Sequence, residues 1–195
     1  MRLFERTFSI SAETRILDVG GSSLIWRFAT VQPQLTILNF PSALDKEGHA
    51  SADYVAGDGR MLPFRDGAFD IVFSNSVIEH VGSHSEQQEF ASEVGRVGRR
   101  FWIQTPNRHF PVELHMMLPL VHFLPKTWQR HIVSRFTVWQ LLVHPSQEER
   151  TAYIDHFLSE LNLLTVGELH DLFPGSTLIK ERVLGVPKSI IAVRP

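Results

Sequence analysis

Apolar runs in this chain stop abruptly and repeatedly at polar or glycine-bearing stretches. Arg15–Gly20 (RILDVG) runs into Gly20-Gly21-Ser22-Ser23, and Leu35–Leu38 (LTIL) ends at Asn39. Tyr54–Ala56 breaks at Gly57-Asp58-Gly59, Phe69–Phe73 (FDIVF) at Ser74-Asn75-Ser76, and Arg100–Gln104 (RFWIQ) at Thr105-Pro106-Asn107. Each reads as a buried strand leading into a loop. Helix signals fall between them. Ser22 or Ser23 can cap a short helix through Trp26, Arg27 and Phe28. Ser83-x-x-Glu86 is a capping box opening a helix whose Phe90, Val94 and Val97 recur at helical spacing, and Gly98 ends it. This alternation predicts an α/β fold with a parallel sheet and right-handed crossovers. Ligands bind such sheets outside the carboxyl ends of the strands, which is where Asp58 and Asn75 fall.

The second half of the chain reads differently. From Pro111 to about Phe157 it is rich in Leu, Met, His, Phe and Trp, is punctuated by Pro119, Pro125 and Pro145, and predicts two or three helices. Leu114–Leu124 (LHMMLPLVHFL) is its most apolar run, read first as a helix packed on the sheet and next as a lid over an acceptor. A dimer face or a membrane-surface contact is not favoured. Val166–Phe173 predicts a short helix. Leu178–Val183 and Ser189–Val193 predict two strands around Gly185-Val186-Pro187. The expected organisation is one domain, 1–195, with a helical lid or insert at about 111–157.

Composition narrows the function classes. A length of 195 residues, 43% hydrophobic and 21% charged, suits one globular core. A formal net charge of −2 gives no basic footprint for nucleic acid. The absence of cysteine excludes disulfides, thiolate metal sites and a cysteine nucleophile. The start, MRLFERTFSISAETR, lacks the apolar core of a signal peptide. No run of about 18 apolar residues predicts a transmembrane segment. A soluble, cytoplasmic chain acting on a small molecule is expected. Glu113, His115 and His122 lack the spacing of a metal-binding helix pair, so no metal is expected.

The run from Tyr54 to Val81, with GDGRMLPFRDGAFDIVFSNSVIEHV at its heart, resembles class I S-adenosylmethionine (SAM)-dependent methyltransferases, in particular the type 11-like group. Within that family the chain is similar to a small branch at Asp18–Trp26 (DVGG…W), Thr36–Asn39 (TILN) and Gln104–His115 (QTPNRxFPxExH). The resemblance implies a Rossmann-like fold with a mixed seven-stranded sheet in the order 3-2-1-4-5-7-6. It implies SAM as cofactor, held by Asp18, Gly20, Gly21, Asn39, Asp58, Gly59, Asn75 and Ser76. Asp58 would accept from the adenine amino group, Gly59 would lie along the adenine edge, Asn39 would meet the ribose, and Ser74 to Ser76 would lie beside the methionine part. Two positions depart from the commoner pattern. Ser22 and Leu24 stand where later glycines of the first loop usually occur, and Asn39 stands where an acidic residue is usual. Returning Asp at position 39 is expected to preserve or improve cofactor affinity.

A methyltransferase acting on a small or medium metabolite is the expected function. Two alternatives are a non-catalytic partner or regulator that keeps the fold and a nicotinamide-dependent oxidoreductase. The oxidoreductase reading is weakened by the missing G-x-G-x-x-G and by the neutral Asn39. An oxygen acceptor would need a base, worth roughly 10²–10⁴ in rate. His80 is the first candidate, followed by His115 and Glu113, since histidine titrates nearest neutral pH.

Overall fold

The apolar runs fold as strands that pair side by side. The computed structural model describes residues 1–44, 52–113, 118–135 and 145–195. Strands β1 (Arg15–Val19), β2 (Gln34–Asn39), β3 (Ala52–Ala56), β4 (Phe69–Asn75) and β5 (Gly98–Pro106) pair in parallel, and β9 (Val186–Arg194) joins β5 antiparallel. With β8 (Thr177–Val183) outermost, the sheet order is β3-β2-β1-β4-β5-β9-β8. Two short strands, β6 (Val112–Glu113) and β7 (Leu118–Pro119), form a separate pair and interrupt the numbering. Counting only the main sheet, its last two strands are the sixth and seventh, giving the predicted 3-2-1-4-5-7-6.

Both faces of the sheet are buried, so its central strands are apolar throughout rather than alternating. Successive side chains serve opposite layers. Leu17, Val72, Phe101 and Ile103 pack with Phe90 and Val94 of α3 (His84–Val97) and Leu169 of α6 (Val166–Leu172). Ile16, Ile71, Phe73 and Trp102 pack with Phe4 and Phe8 of α1 (Arg2–Phe8) and Trp26 of α2 (Ser23–Trp26). The rings meet mostly edge to face: Phe4 lies 5.0 Å from Phe73 and 5.7 Å from Trp102. The α1 helix, unread in the sequence, contributes two phenylalanines one turn apart to this layer.

Both reciprocal bonds of the Ser83–Glu86 capping box are present. Ser22 occupies the N-cap of α2, but its side chain makes no cap hydrogen bond. The β8–β9 turn is Leu184-Gly185, with φ of 49° and 83°. Two positive φ values suit the tight hairpin turn compatible with strand twist.

The 111–157 segment differs from its expected form. The described part of Leu114–Leu124 is β7 followed by a 3₁₀ turn, Val121–Phe123, not a helix on the sheet. Pro119 lacks an amide hydrogen and Leu120 takes φ 59°, two local reasons why a helix does not run through. The described helices are α4 (Lys126–Val133) and α5 (Gln147–Glu160). Leu118, Val121, Val133, Ile154 and Leu161 form a small core of their own. Among the described residues no helix is long and apolar enough to cross a membrane.

Candidate functional site

The parallel strands finish along one edge, and backbone hydrogen bonds carry the pairing one residue further. Gly20 N donates to Leu38 O at 2.7 Å, Gly57 N to Asn39 O at 3.0 Å, and Ser76 N to Gln104 O at 2.9 Å. This draws the Gly20, Asn39, Asp58 and Ser76 segments to the edge where ligands bind such sheets. A narrow cleft of about 50 Å³ opens there between Gly20, Asn39, Phe40, Gly57, Gly59 and Val77. A larger cavity, about 500 Å³, lies at the opposite edge against the strand starts Arg15, Gln34 and Asp53, away from the loops that carry the candidate chemistry.

Close packing sets the first loop. Gly20 has φ 74°, and a Cβ there would lie 2.7 Å from Val77. At Gly21 a Cβ would lie 1.9 Å from Asp18 Oδ2, so the carboxylate sits directly against the loop. Asp18 has no exposed surface and lies beneath the loop. Its Oδ2 accepts from Trp26 Nε1 at 2.7 Å, while Oδ1 is buried without a hydrogen-bond partner. Burial pushes its pKa up to about 7, opposed by the Trp26 hydrogen bond.

Asn39 ties the second strand to this loop. Its Nδ2 donates to Gly21 O at 3.2 Å and its Oδ1 accepts from Phe40 N at 2.9 Å. Asp58 begins a turn closed by Met61 N donating to Asp58 O at 3.1 Å. Arg60 grips its carboxylate through the backbone N–H at 2.9 Å and the guanidinium at 2.6–3.1 Å. That hydrogen-bonded guanidinium holds Asp58 below the usual carboxylate range. Arg60 also pairs with Glu86. Asp58–Gly59 is thus both the turn and the strand-end loop that the sequence suggested. Asn75, half-buried, closes β4, and exposed Ser76 takes φ 58°.

The candidate bases separate. His80 lies in the 3₁₀ turn Ile78–His80 directly after β4. Neighbouring Glu79 is fully buried and accepts from Thr105 Oγ1 at 2.9 Å, which gives it a structural place between strand ends β4 and β5. Glu113 lies on β6 opposite Leu118, and His115 falls outside the described residues. The chain returns to this edge at Asn162, whose N donates to Glu79 O at 2.7 Å and whose Nδ2 donates to Gly82 O at 2.8 Å. Sequence reasoning missed this last contact, because no local pattern links residues about 80 positions apart. The Trp26–Asp18 bond had one weak signal, the tryptophan in a short helix just after the glycine turn.

A family model described as a methyltransferase domain matches residues 26–100, less than half of the chain. Its span includes Asn39, Asp58, Gly59, Asn75, Ser76 and His80, and begins after the Gly20-Gly21 loop. No curated protein matches the chain. Among solved structures, the PH0226 protein of Pyrococcus horikoshii is 16% identical, with TM-score 0.59, 98% of this chain and 85% of that one covered. Phosphoethanolamine N-methyltransferase 2 of Haemonchus contortus, crystallised with S-adenosyl-L-methionine, is 14% identical, with TM-score 0.57 and coverage of 92% and 37%. A Rhodobacter sphaeroides chain provisionally named a zinc-dependent alcohol dehydrogenase is 11% identical, with TM-score 0.62 and coverage of 98% and 88%. Identities this low establish the fold, the Rossmann-like architecture of class I methyltransferases, and leave the chemistry to the site.

Proposed function

We propose that the chain is a SAM-dependent methyltransferase acting on a small or medium metabolite. The observation that carries this reading is the convergence of Gly20, Asn39 and Gly59 on one strand-end cleft, largely within the segment matched by the methyltransferase-domain model. The Haemonchus enzyme's complex with SAM supports the same cofactor.

The residues present fit the adenosine part of SAM. Asn39 can face a ribose hydroxyl with a donor and an acceptor. Arg60 makes two contacts to each Asp58 oxygen, so an adenine amino group would be accepted by a carboxylate oxygen that part of this grip releases. Gly20 and Gly59 bring backbone rather than side chain to the cleft wall. Asp18 steadies the floor from below. When bound, SAM supplies a methyl group already activated on its sulfonium. The protein's task is then to orient an acceptor and exclude water, for which favourable orientation is worth roughly 7–11 kcal/mol. His80 stands on the β4 side of the strand edge and is the proposed base for an acidic acceptor hydroxyl or amine. The 111–157 segment, with its small separate core, is the proposed lid.

Isothermal calorimetry with SAM and its demethylated product tests this directly. Saturable binding of both, with NAD⁺ and NADH silent, is the expected result. Nicotinamide binding without SAM binding overturns it. SAM binding with no transfer to any acceptor would favour the non-catalytic alternative.

A further inference from the structure

A second cleft, about 160 Å³, is lined by Arg108, His122, Lys126, Gln129, Asn162 and Leu163. It lies beside the proposed acceptor region. Asn162 is bonded to the Glu79–Gly82 turn after β4, and Arg108 N donates to Leu164 O at 2.9 Å just after β5. From this placement we infer that the cleft binds an oxyanion, a carboxylate or phosphate group, carried by the methyl acceptor. The inference rests on the methyltransferase reading and narrows its substrate class.

Two cations line the cleft from different parts of the chain. Arg108 enters from the loop after β5. Its guanidinium meets one carboxylate, Glu168, at 3.2 Å, in an exposed pair of the kind that contributes little. Lys126 enters from the first turn of α4, and among the described residues no acidic partner acts on its ammonium. Its ammonium is desolvated enough to lower its pKa from the ordinary lysine value, although the residue as a whole is exposed. A cation held partly out of water gains when an anion enters. An anion at Lys126 would also face the amino end of an eight-residue helix, where the dipole favours negative charge.

The polar lining is already fixed in place. Gln129 is 5% exposed, and its Nε2 donates to Leu124 O at 2.7 Å. His122 Nε2 lies 3.0 Å from Arg108 O, which ties the 3₁₀ turn to the arginine's own backbone. Arg130, on the same helix as Lys126, does not line the cleft and pairs with Asp155 at 2.6 Å between α4 and α5.

The test titrates inorganic phosphate and, separately, acetate into the full chain by calorimetry, with and without saturating SAM. Variants are Lys126→Gln, Arg108→Gln and, as control, Arg130→Gln. Saturable binding of either anion, weakened about tenfold or more by Lys126→Gln and unchanged by Arg130→Gln, supports the inference, and the preferred anion tells phosphate from carboxylate acceptors. Lys126 is exposed at a helix start, so its variant should fold. Thermal melts check Arg108→Gln, which severs a surface pair. No saturable binding of either anion, or equal loss in Arg130→Gln, overturns it. Anion binding that survives when SAM fails to bind keeps the oxyanion cleft and removes the methyltransferase reading. SAM binding without anion binding does the reverse.

Discussion

Trp26 donates its indole Nε1–H to Asp18 Oδ2 at 2.7 Å, within the aromatic layer on one face of the sheet. The carboxylate is fully buried, its second oxygen has no hydrogen-bond partner, and its pKa is raised to about 7. An unfolded aspartate titrates near 3.9. Between these values the folded state binds more protons than the unfolded one, so stability falls as pH rises from about 4 to about 7. Asp18→Asn cannot titrate. Other carboxylates, Asp58, Asp70 and Glu93 among them, titrate in both proteins, so the wild-type urea midpoint measured relative to that of Asp18→Asn should decline over that interval. Parallel curves for the two proteins would show that Asp18 does not titrate there.

Replacing the donor gives a separate expectation. Trp26→Phe keeps much of the ring packing but leaves Asp18 without its bond, at a cost of about 1–3 kcal/mol. The loss should be larger at pH 8 than at pH 5, because the ionised carboxylate needs the donor more. Denaturant titrations at the two pH values measure the difference.

Asn39 reverses an expectation drawn from sequence. There, Asp at this position promised equal or better cofactor affinity. In the structure Asn39 Nδ2 donates to Gly21 O, so Asn39→Asp would set an acceptor against an acceptor at about the same separation, 3.2 Å. The variant should loosen the Gly20-Gly21 loop, weaken SAM binding several-fold and lower the melting temperature. Calorimetry and a thermal melt on one sample decide it. Improved affinity would mean that a ribose contact outweighs the loop contact.

Asp58→Ala should weaken SAM binding about tenfold or more, the loss of one charge-assisted bond of roughly 1.5–3 kcal/mol. Asp66→Ala is the matched control: Asp66 is exposed and pairs with Arg96 at 2.8 Å, away from the cleft. Equal effects would take Asp58 out of the cofactor site.

His80→Ala should leave SAM affinity near wild type and lower the methyl-transfer rate about 10²-fold or more if His80 is the base. The wild-type rate should then fall toward acid pH as the imidazole takes up its proton. Single-turnover assays across pH separate this from a positional role, which predicts a small loss and an unchanged profile.

The sheet was legible because its strands are apolar on both faces and end sharply. FDIVF and RFWIQ announce themselves whatever they pack against. The α3 boundary was legible from Ser83, Glu86 and Gly98. Other features were hidden for physical reasons. Phe4 and Phe8 form too short an apolar pattern to predict α1, whose place comes from the rings it meets across the sheet. The Pro119-Leu120 break in the apolar run depends on one left-handed residue that is not glycine. In the candidate site, glycines and strand ends were readable. The grip of Arg60 on Asp58, the burial of Glu79 against Thr105, and the meeting of Arg108 with Lys126 depend on side-chain placement or on distant segments.

Helix α3 ends at Val97 and strand β5 begins at Gly98, with no connecting residue. A Cβ at Gly98 would lie 2.6 Å from a Val72 methyl carbon, so the junction is pressed onto its neighbouring strand as well. The chain has no slack at this point. One inserted residue, unless absorbed as a bulge, would turn the strand over, sending Trp102 toward the α3 layer and Phe101 and Ile103 toward the aromatic layer. Length variation that a surface loop would absorb is here converted into an exchange of two cores. Variation in this chain's length should therefore collect elsewhere, leaving the carboxyl end of β5 at a fixed distance from α3.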